Sequence, residues 1–106
     1  MSSSPVTYAT RRPQRAPCLC CGRKMLLTFH HLIPRKLHRR PRFRKHYSRE
    51  ELARGIYICR DCHDATHRTY TEMELAQELA TPETLVADPD LARHFAFLSR
   101  QRRRPA

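Results

Sequence analysis

The apolar positions of the chain form short runs in its first half and spaced stripes in its second. Met25-Leu-Leu-Thr-Phe29 is β-prone and too short for a helix, so it predicts a strand leading into His30-His31. Pro34 ends regular pairing there. Ile56-Tyr-Ile58 predicts a second short strand that runs directly into Cys59. Between them, residues 35–48 are basic and aperiodic and predict a long loop. Ser48 with Glu50 and Glu51 predicts a helix N-terminus, with Gly55 as its stop.

From Arg60 onward the pattern is helical. His63 and His67 are spaced i, i+4 and share one face. Thr71-Glu-Met-Glu74 is a capping-box pattern that opens a further helix, with Leu75 and Leu79 on one side. Asp88-Pro89 supplies an N-cap and a first-turn proline. Leu91, Phe95 and Leu98 then give an i, i+4, i+7 stripe, which reads as core. Residues 1–16 mix Ser, Pro, Thr and Arg without a period and predict a loose basic arm. The expected fold class is α+β: an arm over 1–16, a small metal-stabilised domain over 17–70, and a helical extension with a basic tail over 71–106.

Charge sharpens this picture. The formal net charge is +11, and residues 1–49 carry thirteen Lys/Arg and no Asp or Glu. All ten acids lie from Glu50 onward, against eight Arg. A one-sided field of this kind attracts polyanions, of which nucleic acid is the commonest. A basic face kept for solubility is the competing explanation, but seven Lys/Arg within residues 35–45 exceed that need. At 106 residues the chain buries only about two-thirds of its unfolded surface, so a metal clip would compensate for a small core. No run approaches the ~20 apolar residues of a membrane span, and no membrane partner is expected. Without an apolar leader after Met1-Ser-Ser-Ser-Pro5, the five Cys read as metal ligands in a reducing cytoplasm rather than as disulfides.

The ligand chemistry is concentrated at Cys59-Arg-Asp-Cys62-His63-Asp-Ala-Thr-His67. Cys18-x2-Cys21, followed by Gly22 where a positive φ is often needed, has the form of a zinc knuckle. Two CxxC pairs can close a tetrahedral structural zinc across 37 intervening residues. Cys20 reads as a filler beside the knuckle. His63 and His67 can bind a second ion from one helix face. Adjacent His30 and His31 point to opposite sides of a strand, so one can face a metal while the other faces a substrate. Three ligands with open positions describe a catalytic metal, and an unliganded imidazole is suited to deprotonating water. The same residues also fit one mixed zinc site in which a histidine replaces a thiol.

His30-His31-Leu-Ile-Pro34, flanked by Cys18-x2-Cys21 and by Cys59-x2-Cys62-His63-x3-His67, resembles the HNH endonucleases, in particular the small bacterial group with paired zinc-binding CxxC motifs. The resemblance covers roughly residues 18–70, and Thr71–Ala87 also looks like the tail of small stand-alone members. It implies a ββα-metal core: a hairpin with a long loop, then a helix, gripping one divalent ion. It implies further that His30, His63 and His67 hold a catalytic Mg2+, Mn2+, Ni2+ or Zn2+, that His31 is the general base, and that Cys18, Cys21, Cys59 and Cys62 hold a structural Zn2+. The family usually has Asn, sometimes His, nine residues before the first helix histidine. Here that position is Arg54, and the chain has no Asn. His38 or His46 is then the candidate to orient His31, with His38 nearer in sequence.

The activity so implied is hydrolysis of DNA phosphodiester bonds by a monomer or weak dimer, as nicking with low sequence specificity. Arg35, Lys36, Arg39, Arg40, Arg42, Arg44 and Lys45 are the expected phosphate contacts; such contacts give affinity but little sequence choice. A zinc-stabilised nucleic-acid-binding module without catalysis, and a structural zinc protein with a protein partner, are the alternatives.

Overall fold

In the computed structural model, residues 7–8 and 14–101 are described. Four strands form one antiparallel sheet in the order β1-β4-β3-β2: β1 Thr7–Tyr8, β2 Gln14–Pro17, β3 Lys24–His31 and β4 Arg54–Cys59. The central pair β3–β4 is set with Leu27 opposite Cys59, His30 opposite Ile56 and His31 opposite Gly55. Both strands expected from the sequence are therefore present. The expected arm differs: Thr7–Tyr8 pairs with β4, and Gln14–Pro17 pairs with β3. Aperiodic composition conceals short edge strands because their register comes from the partner strand. The rest of the expected arm, and the basic tail from residue 102, lie outside the described residues.

Six helices follow β3: α1 Pro41–His46, α2 Arg49–Leu52, α3 Arg60–Thr69, α4 Glu72–Glu78, α5 Pro82–Ala87 and α6 Pro89–Ser99. Ser48 and Thr71 close capping boxes with Glu51 and Glu74, as the sequence pattern indicates. Asp88 caps α6 through its side chain, and its other contact, 2.7 Å from the Tyr70 hydroxyl, ties that cap to the end of α3. Helix α5, capped by Thr81, was not apparent from sequence, since its six residues are too few for a period.

Two apolar clusters organise these elements. The larger joins Leu27, Ile56 and Ile58 of the sheet to Leu75, Leu79, Leu85, Leu91 and Phe95 of the helices, with the four buried thiols at its edge. The Leu91/Phe95/Leu98 stripe faces it as expected. The smaller gathers Ile33, Leu37, Phe43, Leu52 and Ala76. It overturns the expectation of a basic loop over 35–48. Leu37 and Phe43 are anchors, so the segment folds as a 3₁₀ turn over Arg35–Leu37 followed by α1. Two buried anchors within a run of arginines do not make a period, yet they suffice to fix it.

Gly55 does not terminate a helix; α2 ends at Leu52 and Gly55 lies within β4. A Cβ there would stand 2.3 Å from the His30 carbonyl oxygen and 2.4 Å from the Phe29 ring, so only glycine fits under Phe29. Among the described residues no helix is long and apolar enough to cross a membrane.

Candidate metal centres

Two groups of ligating side chains come together, and α3 contributes to both. The first is Cys18, Cys21, Cys59 and Cys62, all buried, with their sulfurs within 4.8 Å of one another. Gly22 adopts φ +81°, as the knuckle requires; its N–H donates to the Cys18 carbonyl (2.8 Å), and the Cys18 N–H donates to that of Arg23 (2.9 Å). Cys59 is the N-cap of α3, its sulfur accepting from the Cys62 N–H at 3.5 Å. The helix N-terminus favours a thiolate there, but the bond to Cys18 pushes the Cys59 thiol up.

These sulfurs fit a tetrahedral ion. Cys21 and Cys59 are 3.8 Å apart, which matches the ~3.8 Å edge implied by Zn–S bonds of about 2.3 Å. Backbone N–H groups of Cys21 and Cys59 donate to the Cys18 sulfur at 3.5 and 3.3 Å. The Cys18 thiol is held far below the ordinary range by hydrogen bonds from Cys20, Cys59 and Cys62, and Cys62 is pushed up by its bond to Cys18. The cluster can hold a metal ion such as zinc, with four protein ligands and no open position. Cys20 stays outside the group of four, half-buried against the core.

Arg23 closes this centre from outside. Its guanidinium donates to the sulfurs of Cys21 (3.3 Å) and Cys59 (3.5 Å) and pairs with Asp61 (3.2 Å), with its side chain only 9% exposed. A planar fork can reach two sulfurs and a carboxylate together, which an ammonium cannot.

The second group is His30, His63 and His67, whose nearest ring nitrogens also lie within 4.8 Å of one another. The His30 ring centroid is 5.2 Å from that of His63 and 5.4 Å from that of His67. Burial falls across the set: His30 is fully buried, His63 is intermediate and His67 is exposed. Both ring nitrogens of His30 are buried without a hydrogen-bond partner among the described residues. Such a group is costly, and a cation on the imidazole lone pair would satisfy one of the two nitrogens. Burial, and then the neighbouring histidines, lower His30 to about 3; burial and then His67 lower His63 to about 4. Both rings are therefore neutral at pH 7, the form that ligates a metal.

Thr28 fixes which nitrogen of His63 is free. Its hydroxyl donates to the Ile58 carbonyl oxygen at 2.9 Å and lies 2.9 Å from His63 Nδ1. The hydroxyl has one proton and the carbonyl can only accept. At His63 the oxygen must therefore accept, Nδ1 carries the hydrogen, and Nε2 keeps its lone pair. A partner on the other nitrogen in this way is the usual arrangement around a ligating histidine.

His31 points to the other side of β3, as strand alternation requires. Its ring stands edge-on to Phe29, with centroids 4.9 Å apart, and faces His38 at 5.5 Å. His38 Nε2 lies 2.7 Å from the Ile33 carbonyl oxygen, so it is the donor there and the ring is anchored. Burial, then His38 and Arg35, lower the His31 pKa below the ordinary imidazole value. His31 lines two depressions: a small one of about 200 Å³ shared with His63 and His67, and a larger one of about 660 Å³ shared with His38 and four arginines.

Over 85 aligned residues, covering 79% of this chain and 74% of the relative, the sequence is 32% identical to YisB of Bacillus subtilis (strain 168), an uncharacterized protein. The chain belongs to the YisB family. No family model matches the sequence, and no solved structure matches it.

In this YisB-family chain the residues expected as metal ligands form two groups, four thiols and three histidines, rather than one mixed site. His38 lies beside His31 as expected, whereas His46 sits on a separate depression with Arg42 and Tyr47. Arg54, at the start of β4, is exposed, and its carbonyl accepts from the Leu32 N–H at 3.2 Å. Sequence reasoning missed Thr28, Arg23 and Arg49. Thr28 carried a usable signal: it lies two residues before His30, hence on the same face of the strand. Arg23 and Arg49 carried none beyond their charge.

Proposed function

We propose that this chain is a metal-dependent endonuclease of the HNH type, hydrolysing DNA phosphodiester bonds with little sequence choice. The observation that carries this reading is His30. It is fully buried, with neither ring nitrogen hydrogen-bonded, and it faces His63 and His67 while its neighbour His31 turns toward an arginine-lined cleft. On this reading β3, the excursion after it, β4 and α3 form the ββα-metal motif, and the four thiols hold the structural zinc that pins it.

His30, His63 and His67 would hold one divalent cation, Mg2+, Mn2+, Ni2+ or Zn2+. An ion held there would supply Lewis-acid stabilisation of the charge that develops on the phosphodiester. His31, neutral at pH 7, accepts a proton from the water that attacks phosphorus in line. Phe29 and His38 hold the His31 ring from two sides, in place of the family's Asn. His38 is itself fixed by Ile33, so it acts as a positioning residue. One active centre per chain nicks one strand at a time.

A second reading keeps the fold and the nucleic acid but drops the chemistry. It draws on Arg54, which stands at the Asn position with its side chain exposed. Supercoiled plasmid separates the two. With Mg2+, Mn2+, Ni2+ or Zn2+ added, the wild-type protein is expected to accumulate nicked circles, and His31→Ala to slow this at least a hundredfold. Binding without nicking under every ion would leave only the second reading.

A further inference from the structure

The larger depression beside His31 is lined mainly by arginine and histidine side chains. Its polar lining is His31, Arg35, His38, Arg39, Arg44 and Arg49, with no carboxylate among the described lining residues. The arginines come from four places: the 3₁₀ turn, the bend after it, α1, and the first turn of α2. Leu37, Phe43 and Leu52, buried in the smaller core, hold these pieces together, so the four side chains converge on one cleft.

Arg49 stands in the first turn of α2, whose backbone is set by local chemistry. The Ser48 hydroxyl accepts from the Glu51 N–H at 3.1 Å, and the Glu51 carboxylate accepts from the Ser48 N–H at 2.8 Å. This capping box fixes the first turn of α2 and engages the Glu51 carboxylate with the Ser48 backbone N–H. Four cations around one cleft repel one another, and an anion between them removes that repulsion while taking up bidentate donors.

We infer that this cleft is a phosphate-binding subsite, taking the backbone phosphates that neighbour the one presented to His31. A strand would cross His31, with the histidine cluster on one side, Arg39, Arg44 and Arg49 on the other, and Arg35, which lines both depressions, between them. The identity of the ligand as DNA rests on the function proposed above; the affinity for phosphate rests on the cleft itself. The inference divides the basic residues, which sequence treats alike. Arg42 lines a different depression with Phe43 and His46, and Lys36 pairs with Glu72 (3.7 Å) beside the histidines. Arg49, beyond the densest run of charge, belongs to the cleft.

The test is the salt dependence of binding. Fluorescence anisotropy of a labelled DNA duplex is followed from low to moderate salt, without added divalent ion, for zinc-loaded wild type, the double variant Arg39→Gln/Arg49→Gln, and Arg42→Gln. Each lost phosphate contact lowers the slope of log K against log salt by about 0.9. The double variant is expected to lose between about one and two from the slope and about tenfold in affinity, and Arg42→Gln less than half as much. Thermal melts check that these exposed substitutions leave the fold intact. Equal losses in the two variants would overturn the inference. A second arm uses inorganic triphosphate. Arginine-dependent binding of triphosphate without binding of DNA would sustain the cleft as a phosphate site and overturn the DNA reading. Binding of neither would overturn both.

Discussion

The thiol cluster and the histidine cluster are built on the same ten-residue helix, yet they are opposites as environments. Cys18, Cys21, Cys59 and Cys62 are all buried, and four protein ligands leave a tetrahedral ion no free position. The histidines lie on a slope from buried His30 to exposed His67, so an ion there would meet protein on one side and solvent on the other. Cys62 and His63 are adjacent in sequence, and the helical turn of about 100° per residue sends them to the two different centres. Ligand type alone does not separate a site that holds a fold from one that can react. The gradient of burial does.

The strongest attempt to break this contrast is Cys62→Ser. If the thiol centre holds the fold, the variant loses its zinc and its cooperative melt together, since structural zinc contributes on the order of 10–16 kcal/mol to small domains. Elemental analysis with circular dichroism checks this, and His67→Ala is the control: it should keep one zinc per chain and melt near wild type. Loss of zinc in both variants would point back to a single mixed site.

A smaller effect is expected at Thr28. Replacing its hydroxyl in Thr28→Val should weaken binding of a second ion, followed as Co2+ or Ni2+ titrated into zinc-loaded protein, by about 10–100-fold. Thr28→Ser should restore most of it. Nitrogen NMR of His63 reads the cause directly, because Thr28→Val should lose the preference for Nδ1–H. An unchanged tautomer would show that the hydroxyl does not set it.

The smallest change is expected at Arg23. Its bonds to two sulfurs are charge-assisted, and removing such a bond typically costs about 1.5–3 kcal/mol. Arg23→Gln should therefore release zinc to a chelator roughly tenfold faster or more, without affecting ions at the histidines. Equal release rates would assign Arg23 to surface packing alone.

Much of this arrangement was legible in the sequence because its determinants are local. CxxC spacing, the positive-φ glycine, the i, i+4 histidines and the capping boxes each operate within a few residues. The alternation of His30 and His31 follows from strand geometry once β3 is recognised. What could not be read depended on contacts distant in the chain. Thr7–Tyr8 becomes a strand because β4 is beside it, and residues 35–48 fold because Leu37 and Phe43 find Ile33, Leu52 and Ala76. Gly55 reads as a helix stop until Phe29 is seen lying across it. Arg49 is one more positive charge until it is seen lining the cleft beside His31.

The pairing of His31 with Gly55 has a consequence for how this protein can vary. What separates buried His30 from half-buried His31 is parity within β3, not the length of chain around it. Residues added to or removed from the excursion between β3 and β4 leave Phe29 over Gly55 and His30 turned inward. A shift of β3 by a single position would press a side chain into the space that only a glycine vacates, and would exchange the roles of the two histidines. Length differences among relatives are therefore expected in the arginine-bearing excursion, while the five residues from Phe29 to Ile33 keep their count.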